Sequence, residues 1–179
     1  PTMKLGVILE ANGPAVLQIA NAAGADFVRI KVYVGAMVKA GGIVQGCAAR
    51  ALQERAFLDR PIEVLTDVYD RTGTPLGDLP LVTAAQQAVK YESDGLIVTG
   101  RNTEETLGMI ADVKRALPAT PVYAGGGVNT QNIPQFMGRC DGVVVSSCFM
   151  ADSASPCWDA GKIREFLQKI EAEQPVNAQ

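Results

Sequence analysis

Histidine is missing from all 179 residues of this chain. That absence removes the commonest metal ligand among side chains and the usual base beside a cysteine nucleophile. A structural zinc site would fall to Cys47, Cys140, Cys148 and Cys157, and no two of these stand at C-x-x-C spacing. Four scattered thiols also make no disulfide framework. They fit a reducing compartment, with Cys47 and Cys140 read as small buried hydrophobes. No run approaches the roughly 18 continuous apolar residues of a membrane span, and the N-terminus lacks the basic-then-apolar order of a signal peptide. A cytoplasmic protein with no transmembrane segment is expected, and Pro1-Thr2 ahead of Met3 reads as a processed end. Lys and Arg number 16 against 19 Asp and Glu, a net charge of −3, and no basic block tracks a phosphodiester backbone. Nucleic acid is not an expected partner.

What the chain does have is order. Hydrophobic residues make up 47% of it, enough for one sizeable core. Short runs dense in Val, Ile and Leu fall at Lys4–Leu9, Phe27–Tyr33, Ile62–Val68, Asp94–Thr99, Pro121–Tyr123 and Gly142–Val145. Such runs, apolar throughout instead of alternating, suit parallel strands covered on both faces. Helical segments are predicted between and after them at Pro14–Ala23, Cys47–Leu58, Leu81–Tyr91, Thr103–Ala116, Thr130–Gly138 and Asp159–Glu171. In the first, Val16, Ile19, Ala20 and Ala23 form a covering stripe; in the last, Ile163, Phe166, Leu167 and Ile170 do so. The expected fold is α/β, a TIM-barrel-like series of parallel βα units over residues 1–171, with a flexible tail at 172–179.

The most specific local signal joins two of these strand ends. Tyr123-Ala124 runs into Gly125-Gly126-Gly127 and a helix start, and the next strand ends in Ser146-Ser147. Glycines there leave backbone N–H groups bare and permit positive φ, a following helix N-terminus favours negative charge, and the serines add donors. Gly125, Gly126, Gly127, Ser146 and Ser147 are therefore the candidate phosphate-binding residues. Asn129 or Thr130 is the candidate cap for the helix, and Cys148 is near enough in sequence to line the site.

Several segments together resemble the BtpA family, named for a photosystem I biogenesis protein. They are 25–36 (ADFVRIKVYVGA), 42–46 (GIVQG), 65–68 (LTDV), 94–100 (DGLIVTG), 126–133 (GGVNTQNI) and 141–149 (DGVVVSSCF), in family order across nearly the whole chain. The resemblance implies a phosphate-binding TIM barrel with no single reaction attached to the family. It also matches Met3–Val7 to a third barrel strand, so roughly the first quarter to third of a member lies outside this sequence. A complete eightfold barrel takes about 250 residues. The expectation is an incomplete barrel of about six strands, whose open edges at Lys4–Leu9 and Gly142–Val145 are covered by self-association or by a chain supplying the missing strands; a contracted barrel is the alternative.

Barrel chemistry sits at the carboxyl ends of the strands, which nominates Glu10, Lys31, Asp67 and Asp70 as catalytic candidates. Glu10 is either a general base or polar anchor, or a helix-start cap. Lys31 is the substrate-charge contact, while Arg29, on the same side of its strand, is placed to pair internally with Asp67. Asp67 and Asp70 could polarise a hydroxyl or ligate a divalent ion; alternatively Asp70-Arg71 is a solvated turn. Thr99 could touch substrate, Arg101 could cover an anion, and Asn102 or Thr103 could cap the next helix. Asp94 and Asp141 begin their strands, at the opposite end, and read as structural caps. The loop Gly35–Gly42 is a candidate flexible cover, with Lys39 drawing in phosphate. Relatives in the family often carry histidines after the Asp67 position, where Tyr69 and Thr72 stand here, so a histidine-supported role is not open to this chain. Two functions follow: an enzyme on a small phosphorylated metabolite, or a non-catalytic regulatory or assembly subunit.

Overall fold

A computed structural model describes residues 3–152 and 157–173. The part of the expected tail at 174–179 lies outside the described residues. In chain order the elements are β1 (Gly6–Leu9), α1 (Gly13–Ala23), β2 (Phe27–Ile30), β3 (Ala36–Lys39), β4 (Gly42–Gln45), α2 (Ala48–Arg55), β5 (Glu63–Asp67), β6 (Thr74–Pro75), α3 (Leu81–Lys90), β7 (Gly95–Val98), α4 (Thr103–Ala116), β8 (Val122–Gly125), α5 (Ile133–Phe136), β9 (Gly142–Val144) and α6 (Ala160–Glu173). A 3-10 turn at Ser147–Phe149 follows β9.

Six strands form one sheet in the order β1-β2-β5-β7-β8-β9, and every neighbouring pair is parallel. These are the six parallel strands anticipated from the apolar runs, in the open half-barrel that the family resemblance implied. Side chains alternate across it. Val28, Ile30, Val64, Leu96, Val98, Val122 and Ala124 face the helices and are fully buried. The other face carries Ile8, Arg29, Leu65, Ile97 and Tyr123, and there the Tyr123 ring lies 2.8 Å and 2.9 Å from where a Cβ on Gly95 or Gly142 would sit. The two glycines make room for that ring in the concave layer. The edge strands are less well covered: Ile8 in β1 is half exposed, and no residue of β9 is fully buried.

The helices begin and end for local reasons. Asn12 Oδ1 accepts from Ala15 N with Pro14 in the first turn, and Gly24 closes α1 in the left-handed conformation. Asn102 caps α4 through Glu105 N, and Asp159 accepts from Gly161 N and Lys162 N at the start of α6. The buried stripe of α1 is Val16, Leu17 and Ala20, while Ile19 is about half exposed. In α6 only Phe166 is fully buried, stacked edge-on to Phe149, and Leu167 faces out.

Two expectations are corrected. The 35–42 segment is no flexible cover: β3 pairs antiparallel with β4 and β6 in a separate three-stranded sheet, because Gly42 at φ +114 allows the tight return between β3 and β4. The helix expected over 130–138 shrinks to Ile133–Phe136, because Asn129 and Asn132 hold the preceding residues in a side-chain-bonded turn.

At the amino ends of the strands an aspartate recurs. Asp26, Asp94 and Asp141 each stand just before a strand, and their carboxylates accept from Leu5 N, Val64 N and Val122 N on the neighbouring strand at 2.8, 2.7 and 2.8 Å. They brace strand register, as the capping reading of Asp94 and Asp141 expected. Asp94 also pairs with Arg55 at 2.7 Å. Asp94→Ala leaves the buried Val64 N–H without its acceptor, so urea unfolding should show a loss of about 1–3 kcal/mol; Asp94→Asn, which keeps an acceptor, should lose less, and equal losses would refute the bracing role.

Candidate functional site

The carboxyl ends of the strands gather into one mouth. After β8 the chain enters Gly126 at φ +63 and Gly127 at φ +75, conformations that a side chain strains. After β9 it turns through Ser146-Ser147 into the 3-10 turn. Both loops line one cavity of about 310 Å³, together with Lys31, Asp70, Arg71 and Thr99. Gly125 does not line it. That glycine instead lets β8 approach β7, since a Cβ there would collide with Thr99 and Ile97. With α5 only four residues long, the expected helix dipole is a minor contribution, and the loop's own N–H groups remain the main backbone donors.

Charged side chains enter the mouth in compensated sets. Arg29 forks onto Asp67, with Nε to Oδ1 and Nη2 to Oδ2 both at 3.0 Å, as the internal pairing predicted. Burial pushes the Asp67 carboxyl above its usual range against the pull of that guanidinium. Asp67 is thereby tied down behind Arg29 and does not line the cavity.

Asp70 is the hub. Its carboxylate meets Lys31 Nζ at 2.9 Å, Lys39 Nζ, and Thr72 Oγ1 at 2.6 Å, and its side chain is only 4% exposed. Burial works to raise its pKa, yet the bonds from Lys39, Thr72 and Lys31 hold it well below the usual carboxylate range. The alternative of a solvated turn therefore fails for Asp70. Its placement depends on Tyr69, which takes φ +67 while its hydroxyl donates to the Leu79 carbonyl. Positive φ is costly for a bulky residue, and here it turns the chain so that Asp70 points back into the mouth.

Lys39, from β3, reaches past Asp70 to Glu10 as well. Burial alone would lower the Lys39 pKa, and its bonds to the two carboxylates raise it instead. Glu10 is thus the polar anchor of the three-stranded sheet; the cap of α1 is Asn12, and Glu10 does not line the cavity. The carboxylates offered as oxygen ligands for a divalent ion receive cationic side chains instead. Among the described residues no group of three or more Cys, Asp and Glu is disposed to hold a metal ion.

The remaining candidates separate. Thr99 lines the cavity, whereas Arg101 Nε is paired with Glu105 at 3.0 Å on the surface. Cys148 lies in a neighbouring cleft beside Lys162 and not in the cavity. Among the described residues no disulfide joins the cysteines; Cys47 is buried, Cys140 and Cys148 are half-buried and Cys157 is exposed. Arg71 was not among the residues nominated from sequence, yet its guanidinium stands 3.1–3.2 Å from where a Cβ on Gly126 would lie. The only sequence signal for it was its place next to Asp70. Among the described residues, no helix is long and apolar enough to cross a membrane.

A family model described as the BtpA family matches residues 2–172. The photosystem I biogenesis protein BtpA of Synechocystis is 32% identical over 143 residues, covering 78% of this chain and 50% of the relative. The uncharacterized protein PH1209 of Pyrococcus horikoshii is 33% identical over 149 residues, covering 81% and 56%. The chain thus spans about half the length of these curated relatives. Among solved structures, the KGPDC of Streptococcus mutans superposes with a TM-score of 0.66 at 15% identity, over 95% of this chain and 73% of that one. The 3-hexulose-6-phosphate synthase of Salmonella typhimurium gives 0.58 at 19%, over 94% and 74%. At these identities the structural likeness concerns the fold.

Proposed function

The chain belongs to the BtpA family, and on that footing we propose that it is the phosphate-binding part of a barrel that acts on a small phosphorylated metabolite. One observation carries the proposal: the Gly126-Gly127 loop and Ser146-Ser147 line the same cavity as Lys31 and Asp70. Bare backbone N–H groups and hydroxyls on one wall suit a phosphoryl group. Lys31 and Asp70, paired at 2.9 Å on the other, offer charged contacts that could hold and polarise a substrate hydroxyl or carbonyl. Solved neighbours of this fold include 3-hexulose-6-phosphate synthases, whose name supports the ligand class and leaves the reaction open. The partly uncovered strands β1 and β9 support a companion proposal, that another polypeptide segment or a second copy of the chain covers these edges. A non-catalytic assembly subunit is the second reading, favoured by those same edges and by the biogenesis role in one relative's name.

Calorimetric titration with inorganic phosphate tests the pocket. Gly126→Val places a side chain on a positive-φ residue and against Arg71. Losing one charge-assisted hydrogen bond, about 1.5–3 kcal/mol, weakens binding roughly tenfold or more. Unchanged affinity in a folded variant would remove the glycine loop from the site. Turnover of no phosphorylated metabolite by a phosphate-binding protein with its edges covered would favour the assembly reading.

A further inference from the structure

We infer that Arg71 is the residue that clamps the ligand's phosphoryl group, and that the ligand carries a single such group; the inference rests on the phosphate reading of the cavity. Ion pairs balance all but one of the positive charges around the mouth. Arg29 is matched by Asp67, Lys31 and Lys39 by Asp70 and Glu10, and Arg101 by Glu105. Arg71 has no carboxylate partner among the described residues, so the mouth holds one uncompensated positive charge.

Position gives that charge its role. Arg71 lines the 310 Å³ cavity and also an adjoining one of about 200 Å³, and Gly126 and Gly127 line both. The guanidinium therefore forms a partition over the two positive-φ glycines, facing the backbone whose N–H groups are the other anion donors. A planar fork of five donors beside bare amides matches the oxygens of one phosphoryl group. The backbone of Arg71 is anchored by its neighbour Asp70, whose Oδ1 accepts from Thr72 N at 3.1 Å while Oδ2 meets the two lysines. The side chain itself is exposed and can close on a ligand. The adjoining cavity is also lined by Gly100, Asn102, Thr103, Thr106 and an Arg101 already paired with Glu105, so no second uncompensated cation stands ready for another phosphoryl group.

Titrating the wild-type chain and its variants with inorganic phosphate and pyrophosphate decides the matter. Arg71→Met should weaken phosphate binding about tenfold or more, Arg71→Lys should recover part of the loss, and Arg115→Met, which removes a surface cation paired with Asp112 away from both cavities, should leave affinity within about twofold. Because Arg71 is exposed, thermal unfolding of its variants should match wild type. Pyrophosphate should bind no more than a few-fold tighter than phosphate. If wild type binds phosphate and Arg71→Met binds equally well, the clamp is overturned while the phosphate reading stands. A pyrophosphate gain above about tenfold overturns the single-phosphoryl class. If wild type binds neither anion, the phosphate reading fails and the clamp fails with it.

Discussion

Asp70→Ala is expected to lower the unfolding free energy by about 3–5 kcal/mol, the largest effect of any single substitution considered for this chain. The carboxylate is almost wholly buried and faces Lys31 and Lys39, and the Lys39 side chain is itself only 7% exposed. Removing Asp70 leaves two ammonium groups at the mouth with only Glu10, about half exposed, to answer them. Urea denaturation measures the loss, and a value below about 1 kcal/mol would mean that solvent already screens the cluster.

The same residue predicts an acid signature. A carboxyl whose folded pKa is depressed adds stability above its ordinary value of 3.8, and that stability is lost as pH falls toward the folded value. Asp67, with its pKa raised, works in the opposite sense, favouring the folded state most when it is protonated. Wild type should therefore lose stability below about pH 4 more steeply than Asp70→Ala, the difference isolating Asp70. Parallel acid profiles would contradict the depressed pKa.

The second large effect concerns the open sheet. Six parallel strands leave β1 and β9 as edges, where a closed barrel of this type has eight strands. The 179-residue chain by itself is expected to self-associate, with the backbone amides of Gly6–Leu9 and Gly142–Val144 protected from hydrogen exchange in the associated form and released on dilution. Native mass spectrometry across a dilution series, followed by exchange on the same samples, measures both. A monodisperse monomer whose two edges exchange rapidly would overturn edge covering by a second copy. Supplying a polypeptide with the two preceding βα units should then protect the same amides, and failure of both would overturn edge covering altogether.

Much of the fold was legible because parallel strands buried on both faces leave continuous Val, Ile and Leu runs that few other elements share. Each run falls on a strand of the large sheet; most strands are shorter than their runs because the ends turn into loops, whereas β8 extends past its run to Gly125. The small sheet was missed for a physical reason. Its strands are four, four and two residues long, and β3 and β4 meet through Ala40-Gly41, which reads equally well as loop. Missing the sheet hid the source of Lys39's position, since a lysine on a flexible cover and one fixed on a strand have the same letter.

The site divides along the same line. Sequence by itself determined the family, through motifs in family order, and also the parallel βα order, the joining of the glycine loop with Ser146-Ser147 and the pairing of Arg29 with Asp67, which follow from strand order or from alternation along a strand. Tertiary structure alone decided which polar residues face the cavity. Glu10 and Asp67 are withdrawn into ion pairs, Asp70 becomes the hub through a Tyr69 conformation that no residue pattern announces, and Arg71 is left as the uncompensated cation over Gly126. Charge compensation joins residues from 29 to 39 positions apart here, and such distances are set by packing instead of by local spacing.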